Sequence, residues 1–153
     1  MRVLFVCLGN ICRSPLAEGI FNKKIAARGL TQSFEADSCG TGSYNLGDGP
    51  DPRTVRSAFK NKVPLAHTAR QLTRSDAKNF DLILAMDEYN YRAILAVADP
   101  DEHHKVKMMR EYDPLGPGAV PDPYHGGEND FDQVYQILDR SIENLVSQLA
   151  VNH

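Results

Sequence analysis

The chain has 153 residues, 42% apolar and 24% charged, a balance typical of a soluble globular domain and unlike that of a disordered or fibrous chain. A net charge of −3 provides no basic face for nucleic acid, although a local positive pocket remains compatible with it. The N-terminal apolar run of about six residues is too short for a signal sequence or a membrane span. Three cysteines without framework spacing point to a reducing cytoplasm, and the length fits one domain over residues 1–153.

Val3 to Val6 read as a buried central strand, followed by a tight polar loop and a helix from Pro15 to Arg28. Pro15 suits a first helical position, with Ser14 as hydroxyl cap before it and Gly29 as the C-terminal stop. Leu16, Ile20, Phe21 and Ile25 mark the core-facing stripe of this helix. Phe34 to Cys39 form a second strand, with Cys39 read as a packed thiol. A glycine-rich loop from Gly40 to Pro50 follows, in which Tyr44 and Leu46 are poor choices for a merely solvated turn and suit a pocket wall. Asp51-Pro52 open a short helix expected to turn Val55, Ala58 and Phe59 inward. Pro64 to Leu72 connect, with His67 read as structural, one such role being a hydrogen bond to the first loop's backbone. Thr73 and Asp76 have capping-box spacing. Phe80 to Met86 form the third strand, and Asp87 caps a helix carrying Tyr91, Ile94, Leu95 and Ala98 up to Asp99-Pro100. Lys105 to Met109 make a fourth, edge strand. His103 and His104 look exposed and are not favoured as metal ligands. A proline-rich loop from Arg110 to Asn129 precedes the last helix, Phe131 to about Ala150, capped by Asn129 or Asp130. Strands alternating with helices imply a parallel α/β sheet with right-handed crossovers, its loops gathered at the carboxyl ends of the strands.

The loop between the first strand and helix carries the chemistry. Cys7 and Arg13 are separated by five residues, and Ser14-Pro15 follow at once. A strand-to-helix loop turns backbone N–H groups toward the positive end of the helix, which makes an anion site. A thiol with an ordinary pKa of about 8.5 is brought down by such amides and an adjacent arginine. Arg13 can hold two phosphoryl oxygens through its planar fork, Cys7 can attack phosphorus, and Ser14 can donate its hydroxyl to the sulfur. Amides and Arg13 neutralise the phosphoryl oxygens, so no metal and no cofactor is expected. A cysteine closing an apolar strand can also be an inert core thiol, but such a thiol needs none of the residues that follow it.

The string Cys7-Leu8-Gly9-Asn10-Ile11-Cys12-Arg13-Ser14-Pro15 resembles the phosphate loop of the low-molecular-weight protein tyrosine phosphatases. That resemblance covers essentially the whole chain. It implies a flavodoxin-like three-layer sandwich with a four-stranded parallel sheet of order 2-1-3-4 and the phosphate loop after strand 1. It further implies hydrolysis of phosphotyrosine through a cysteinyl phosphate. Asp122, stiffened by Pro121 and Pro123, matches the family's acid in its Asp-Pro-Tyr, so Cys7, Arg13 and Asp122 form the expected catalytic set. Asp113-Pro114 is the local alternative for the acid. Leu8, Gly9, Asn10, Ile11, Cys12, Ser14, Tyr44, Tyr124 and His125 are expected around the phosphate and the substrate ring. Asn10 is expected to brace the loop with Ser38, and His67 to support it. His125 stands where a second Tyr is frequent, which affects pocket polarity and leaving-group preference.

Cys12 is either a packing thiol or, as the family implies where a second Cys is present, a redox partner able to capture oxidised Cys7 as a disulfide. The expected partners are phosphotyrosine-bearing proteins, a tyrosine kinase among the candidates, with inorganic phosphate or sulfate in the loop. The expected state is a monomer, with weak self-association open. Three other functions compete. A phosphoarginine phosphatase on the same scaffold tends to carry Thr where Ile11 stands. An arsenate reductase needs further cysteines, and Phe80 to Asn90 contain none. A non-catalytic phosphate-binding module has no need to keep Cys7, Arg13 and Asp122 together.

Overall fold

The computed structural model describes residues 1–151; the last two residues of the expected 1–153 domain lie outside them. Four strands, β1 (Arg2–Cys7), β2 (Glu35–Gly40), β3 (Leu82–Ala85) and β4 (Val106–Met108), form one all-parallel sheet in the order β2-β1-β3-β4. Val3 pairs with Ala36 on one side and Leu82 on the other, and Phe5 with Ser38 and Leu84. This register sets the carboxyl ends of β1, β2 and β3 beside one another. Helices α1 (Arg13–Ala27), α2 (Pro52–Lys60), α3 (Arg74–Asn79), α4 (Glu88–Val97) and α5 (Glu128–Val151), with two short 3-10 turns, complete the chain.

Alternation along the central strand produces two cores. Val3, Phe5 and Cys7 face Leu16, Ile20 and Phe21 of α1 and Leu138, Ile142 and Leu145 of α5. Leu4 and Val6 face the other way, onto Ala77 of α3, Phe80 and Ile94 of α4. With both faces covered, β1 and β3 read as unbroken apolar runs instead of alternating ones. Phe21 stacks tilted on Phe5 at 5.7 Å and edge-on to Phe34 at 6.3 Å, which ties α1 to the sheet. Among the described residues, no helix is long and apolar enough to cross a membrane.

Local chemistry accounts for most boundaries. Gly29, at φ +68°, closes α1 in a left-handed turn, with Leu30 N–H donating to Ile25 O at 2.8 Å and Gly29 N–H to Ala26 O at 3.1 Å. Thr73 and Asp76 form the expected capping box, and Asp51 and Asp87 cap α2 and α4. Five expectations need correction. Helix α1 begins at Arg13 after Cys12, and Ser14 does not cap it because its hydroxyl turns to the Cys7 sulfur. Helix α5 begins at Glu128, ahead of the expected cap, and the Asp130 carboxylate accepts the Gly127 N–H at 2.8 Å. Lys105 lies outside β4, its ammonium bound to Ala77 O and Glu102. On α2, Ala58 is buried but Val55 and Phe59 face solvent, because the helix buries its Thr54–Ser57–Ala58 side. His103 is half-buried and contacts Leu95 O and Ala98 O rather than standing free.

Candidate active site

Strand β1 ends at Cys7 in the middle of the sheet, and after five intervening residues α1 begins at Arg13. The loop is held from outside: Thr41 N–H donates to Cys7 O and Gly42 N–H to Leu8 O, both at 2.9 Å, and Asp51 N–H donates to Ile11 O at 2.8 Å. A Cβ on Gly40 would lie 2.7 Å from Leu8 O, so the approach of β2 to the loop requires glycine there. Among the described residues, the backbone N–H groups of Leu8 to Cys12 donate to no backbone carbonyl. They are left for an anion, which the N-terminus of α1 also favours.

The loop's turn depends on Asn10, whose φ of 58° is a conformation that short polar side chains tolerate when they can bond locally. Its amide nitrogen donates to Ser14 Oγ at 2.8 Å and to Ser38 Oγ at 3.1 Å, while its Oδ1 accepts from Arg70 N–H at 3.1 Å and lies 2.7 Å from His67 Nε2. Nε2 therefore donates, and the other ring nitrogen, Nδ1, faces Glu18 Oε1 at 3.2 Å. That contact needs a proton. Burial pushes the Glu18 carboxyl up to about 7 and lowers His67, so a protonated Glu18 donating to a neutral imidazole satisfies both groups. Asn10 thus turns its side chain behind the loop, away from the phosphate side where it was expected, and Ser14 links it to the Cys7 sulfur. His67 supports the loop through the Asn10 side chain, not the backbone. Glu18, Asp37 and His67 offer ligand atoms within 4.8 Å of one another, the one group among the described residues with metal-ligand character. Ser38 already donates to Glu18 and Arg70 pairs with Asp37, and the group lies behind the loop, away from Cys7.

In front of this brace, Cys7 Sγ lies 3.0 Å from Ser14 Oγ. Ser14 Oγ accepts from Asn10, and its proton has two acceptors in reach, the Cys7 sulfur at 3.0 Å and the Cys39 carbonyl at 3.4 Å. Arg13 is 2% exposed, and its Nη1 is anchored by Asp87 Oδ2 at 2.7 Å and Val120 O at 2.9 Å. Nε and Nη2 carry no hydrogen bond among the described residues, and their edge forms the two-pronged donor that a phosphoryl group fits. Asp87 is a site residue that sequence reasoning took only as a helix cap. One carboxylate oxygen does cap α4, accepting from Asn90 N–H, while the other holds Arg13. Its position directly after β3, at the edge where the loops gather, was the available signal.

Cys7, Leu8, Gly9, Ile11, Cys12, Arg13, Tyr44, Asn45, Asp122, Tyr124 and His125 line a pocket of about 260 Å³. All of these except Asn45 were expected. Tyr44, 79% exposed at a loop tip, and Tyr124 form aromatic walls, and His125 sits edge-on to Tyr124 with ring centres 5.0 Å apart. Asp122 Oδ1 accepts the Tyr124 N–H at 3.2 Å and Oδ2 lies 3.7 Å from Arg13 Nη2, which places the carboxyl at the mouth of the pocket, directed toward the loop. The loop carrying Asp122 is fixed at Val120, whose N–H donates to Met86 O at 2.7 Å. Arg53 holds its far side, bonding Gly126 O at 3.3 Å while its guanidinium lies over the Tyr124 and Phe131 rings. The alternative acid, Asp113, is buried between Arg140 and Arg110, which bring its carboxyl down to about 2 and remove it from any proton transfer near neutrality.

Residues 2–153 match the family model described as low molecular weight phosphotyrosine protein phosphatase. A Schizosaccharomyces pombe protein of that description is 45% identical over 155 residues, covering 98% of this chain and 97% of its own. A protein tyrosine phosphatase from Entamoeba histolytica, solved with Hepes in its active site, superposes with a TM-score of 0.96 at 39% identity, covering 99% of this chain and 98% of its own. The YwlE arginine phosphatase, solved as a Cys-to-Ser variant with a phosphorylated active-site serine, superposes with a TM-score of 0.89 at 29% identity, covering 98% of this chain and 96% of its own.

Proposed function

The chain belongs to the low molecular weight phosphotyrosine protein phosphatase family, and we propose that it hydrolyses phosphotyrosine in proteins through a phosphate ester on the Cys7 sulfur. One observation carries the reading: Cys7 Sγ lies at the base of a loop whose backbone N–H groups donate to no backbone carbonyl among the described residues, beside the Nε–Nη2 edge of an anchored Arg13. In the first step Cys7 attacks phosphorus as the P–O bond to tyrosine breaks, and Asp122 gives its proton to the departing phenol oxygen. In the second step Asp122 takes a proton from water, the oxygen attacks phosphorus, and the sulfur leaves as a thiolate that accepts the Ser14 hydroxyl. Loop N–H groups and Arg13 carry the charge on the phosphoryl oxygens throughout. The chain acts here as one catalytic unit on phosphotyrosine-bearing proteins, with a tyrosine kinase among the candidate partners. Its three free, buried cysteines accord with a reducing cytoplasm.

The likeness to YwlE supplies the second reading, a phosphoarginine phosphatase. Tyr44 and Tyr124 favour the first, since two aromatic walls suit a phenyl ring better than a charged guanidino group. Parallel assays on p-nitrophenyl phosphate, a phosphotyrosine peptide and a phosphoarginine peptide decide between them. We expect kcat/KM for phosphotyrosine to exceed that for phosphoarginine by roughly tenfold or more; the reverse order rejects the reading.

Cys12 takes a role of its own. It lies in the pocket lining one loop length from Cys7, and burial pushes its thiol up to about 12, so it is no competing nucleophile. When peroxide oxidises Cys7 to the sulfenic acid, the Cys12 sulfur can displace the hydroxyl, which leaves as water with the thiol proton while the S–S bond forms. Peroxide-inactivated wild type should recover with dithiothreitol, and Cys12→Ser should recover roughly tenfold less. Equal recovery in both removes this role.

A further inference from the structure

The two apolar residues of α2 that fail to turn inward have a place on the surface. Phe59 is 85% exposed and Val55 44%, one helical turn apart on the same side. With Arg56, Lys60 and the first turns of α5 (Glu128, Phe131, Asp132) they line a groove of about 480 Å³, larger than the catalytic pocket. Ser57, 3% exposed, also lines it, and its hydroxyl has no partner among the described residues. Such an orphan is unusual in a buried position.

Groove and pocket are neighbours on either side of Arg53. Arg53 lines the groove, and its guanidinium lies 4.6 Å from the Phe131 ring centre on one side and 5.4 Å from that of Tyr124, a pocket wall, on the other. Charge distinguishes the cations along this path. Lys60 is taken by Asp132 at 2.8 Å and Glu128 at 3.5 Å, and Arg53 by Asp51 at 3.0 Å. Arg56 forms no hydrogen bond or ion pair among the described residues.

We propose that this groove docks the segment of a protein substrate next to its phosphotyrosine, taking a bulky apolar side chain against Val55 and Phe59 and an acidic one at Arg56. The proposal rests on the phosphotyrosine reading and adds a sequence preference to it. A chain that delivers a tyrosine between Tyr44 and Tyr124 must continue over the adjoining surface, and the groove is the concave surface on the other side of Arg53 from Tyr124. At about 3.3 Å per residue, the next few residues of an extended chain fall within it.

The test compares phosphotyrosine peptides carrying a Leu and a Glu within about four residues of the phosphotyrosine, on either side, with versions carrying Ser and Lys. Wild type should favour a Leu/Glu peptide by about fivefold to tenfold in kcat/KM, mainly through KM. Phe59→Ser should remove the Leu part of this preference, and Arg56→Glu should reverse the Glu-over-Lys part. Neither variant should change turnover of p-nitrophenyl phosphate, which cannot reach the groove. Equal turnover of all peptides by wild type, or losses in the variants that p-nitrophenyl phosphate shares, overturns the proposal. So does a concentration-dependent dimer, in sedimentation, that Phe59→Ser abolishes while peptide preference persists, since the groove's occupant is then a second copy. Wild type inactive on p-nitrophenyl phosphate and on every peptide would instead overturn the phosphotyrosine reading itself.

Discussion

Cys7→Ser should abolish hydrolysis, lowering kcat by about 10⁴-fold or more, while leaving the loop able to bind phosphate. A serine hydroxyl has a pKa far above that of a thiol, and the loop cannot bring an alkoxide into reach at neutral pH. The rest of the loop does not depend on sulfur. Asn10 still bonds Ser14 and Ser38, Arg13 remains on Asp87 and Val120 O, and Thr41 still ties down the Cys7 carbonyl. Inorganic phosphate at about 100 times its Kd should therefore still stabilise the variant, by about 2.7 kcal/mol, and raise its melting temperature. Single-turnover assays and thermal shifts with and without phosphate separate the two functions of the loop. Retention of more than a few per cent of wild-type kcat would mean that sulfur is not the nucleophile. Loss of both activity and phosphate stabilisation would mean that the thiol helps build the site.

What the sequence discloses and what it hides divides along the range of the interaction. The strands were legible because β1 and β3 are covered on both faces, so their apolar runs are unbroken, and the caps at Asp51, Thr73 and Asp87 are local chemistry written within four residues. The pocket residues were legible through the spacing from Cys7 to Pro15 and through the two prolines around Asp122. The second layer of the site was legible only in part. The resemblance implied Ser38 and His67 as supports of the loop, but Asp87 holds Arg13 across 74 residues and His67 reaches the Asn10 side chain across 57, pairings that only the sheet order creates. Glu18 sits in mid-α1 among apolar neighbours and gives no sign of facing an imidazole. The outward turn of Val55 and Phe59 was hidden for a related reason. A nine-residue helix with apolar residues on two sides does not declare which side is buried, and that side proves to be the one carrying Thr54, Ser57 and Ala58.

Asp122→Ala should give a loss whose size depends on the leaving group. Phenol departing as phenoxide needs a proton much more than p-nitrophenol does. Turnover of phenyl phosphate should accordingly fall by about 10²- to 10⁴-fold, and the first step with p-nitrophenyl phosphate by much less. The second step uses the same carboxylate as base, so the phosphorylated enzyme should accumulate with the activated substrate. A burst of p-nitrophenol close to one equivalent per enzyme should then precede a slow steady rate. The geometry supports this assignment, since Oδ2 lies toward the Arg13 edge at 3.7 Å and the backbone on both sides is fixed by proline. Asp113→Ala is the control. That carboxylate is occupied by Arg110 and Arg140, so its loss should lower the melting temperature and leave the leaving-group dependence unchanged. If Asp122→Ala slowed phenyl and p-nitrophenyl phosphate by the same factor with no burst, the carboxyl would be holding Arg13 in place rather than moving a proton, and the acid would have to be sought elsewhere at the pocket mouth.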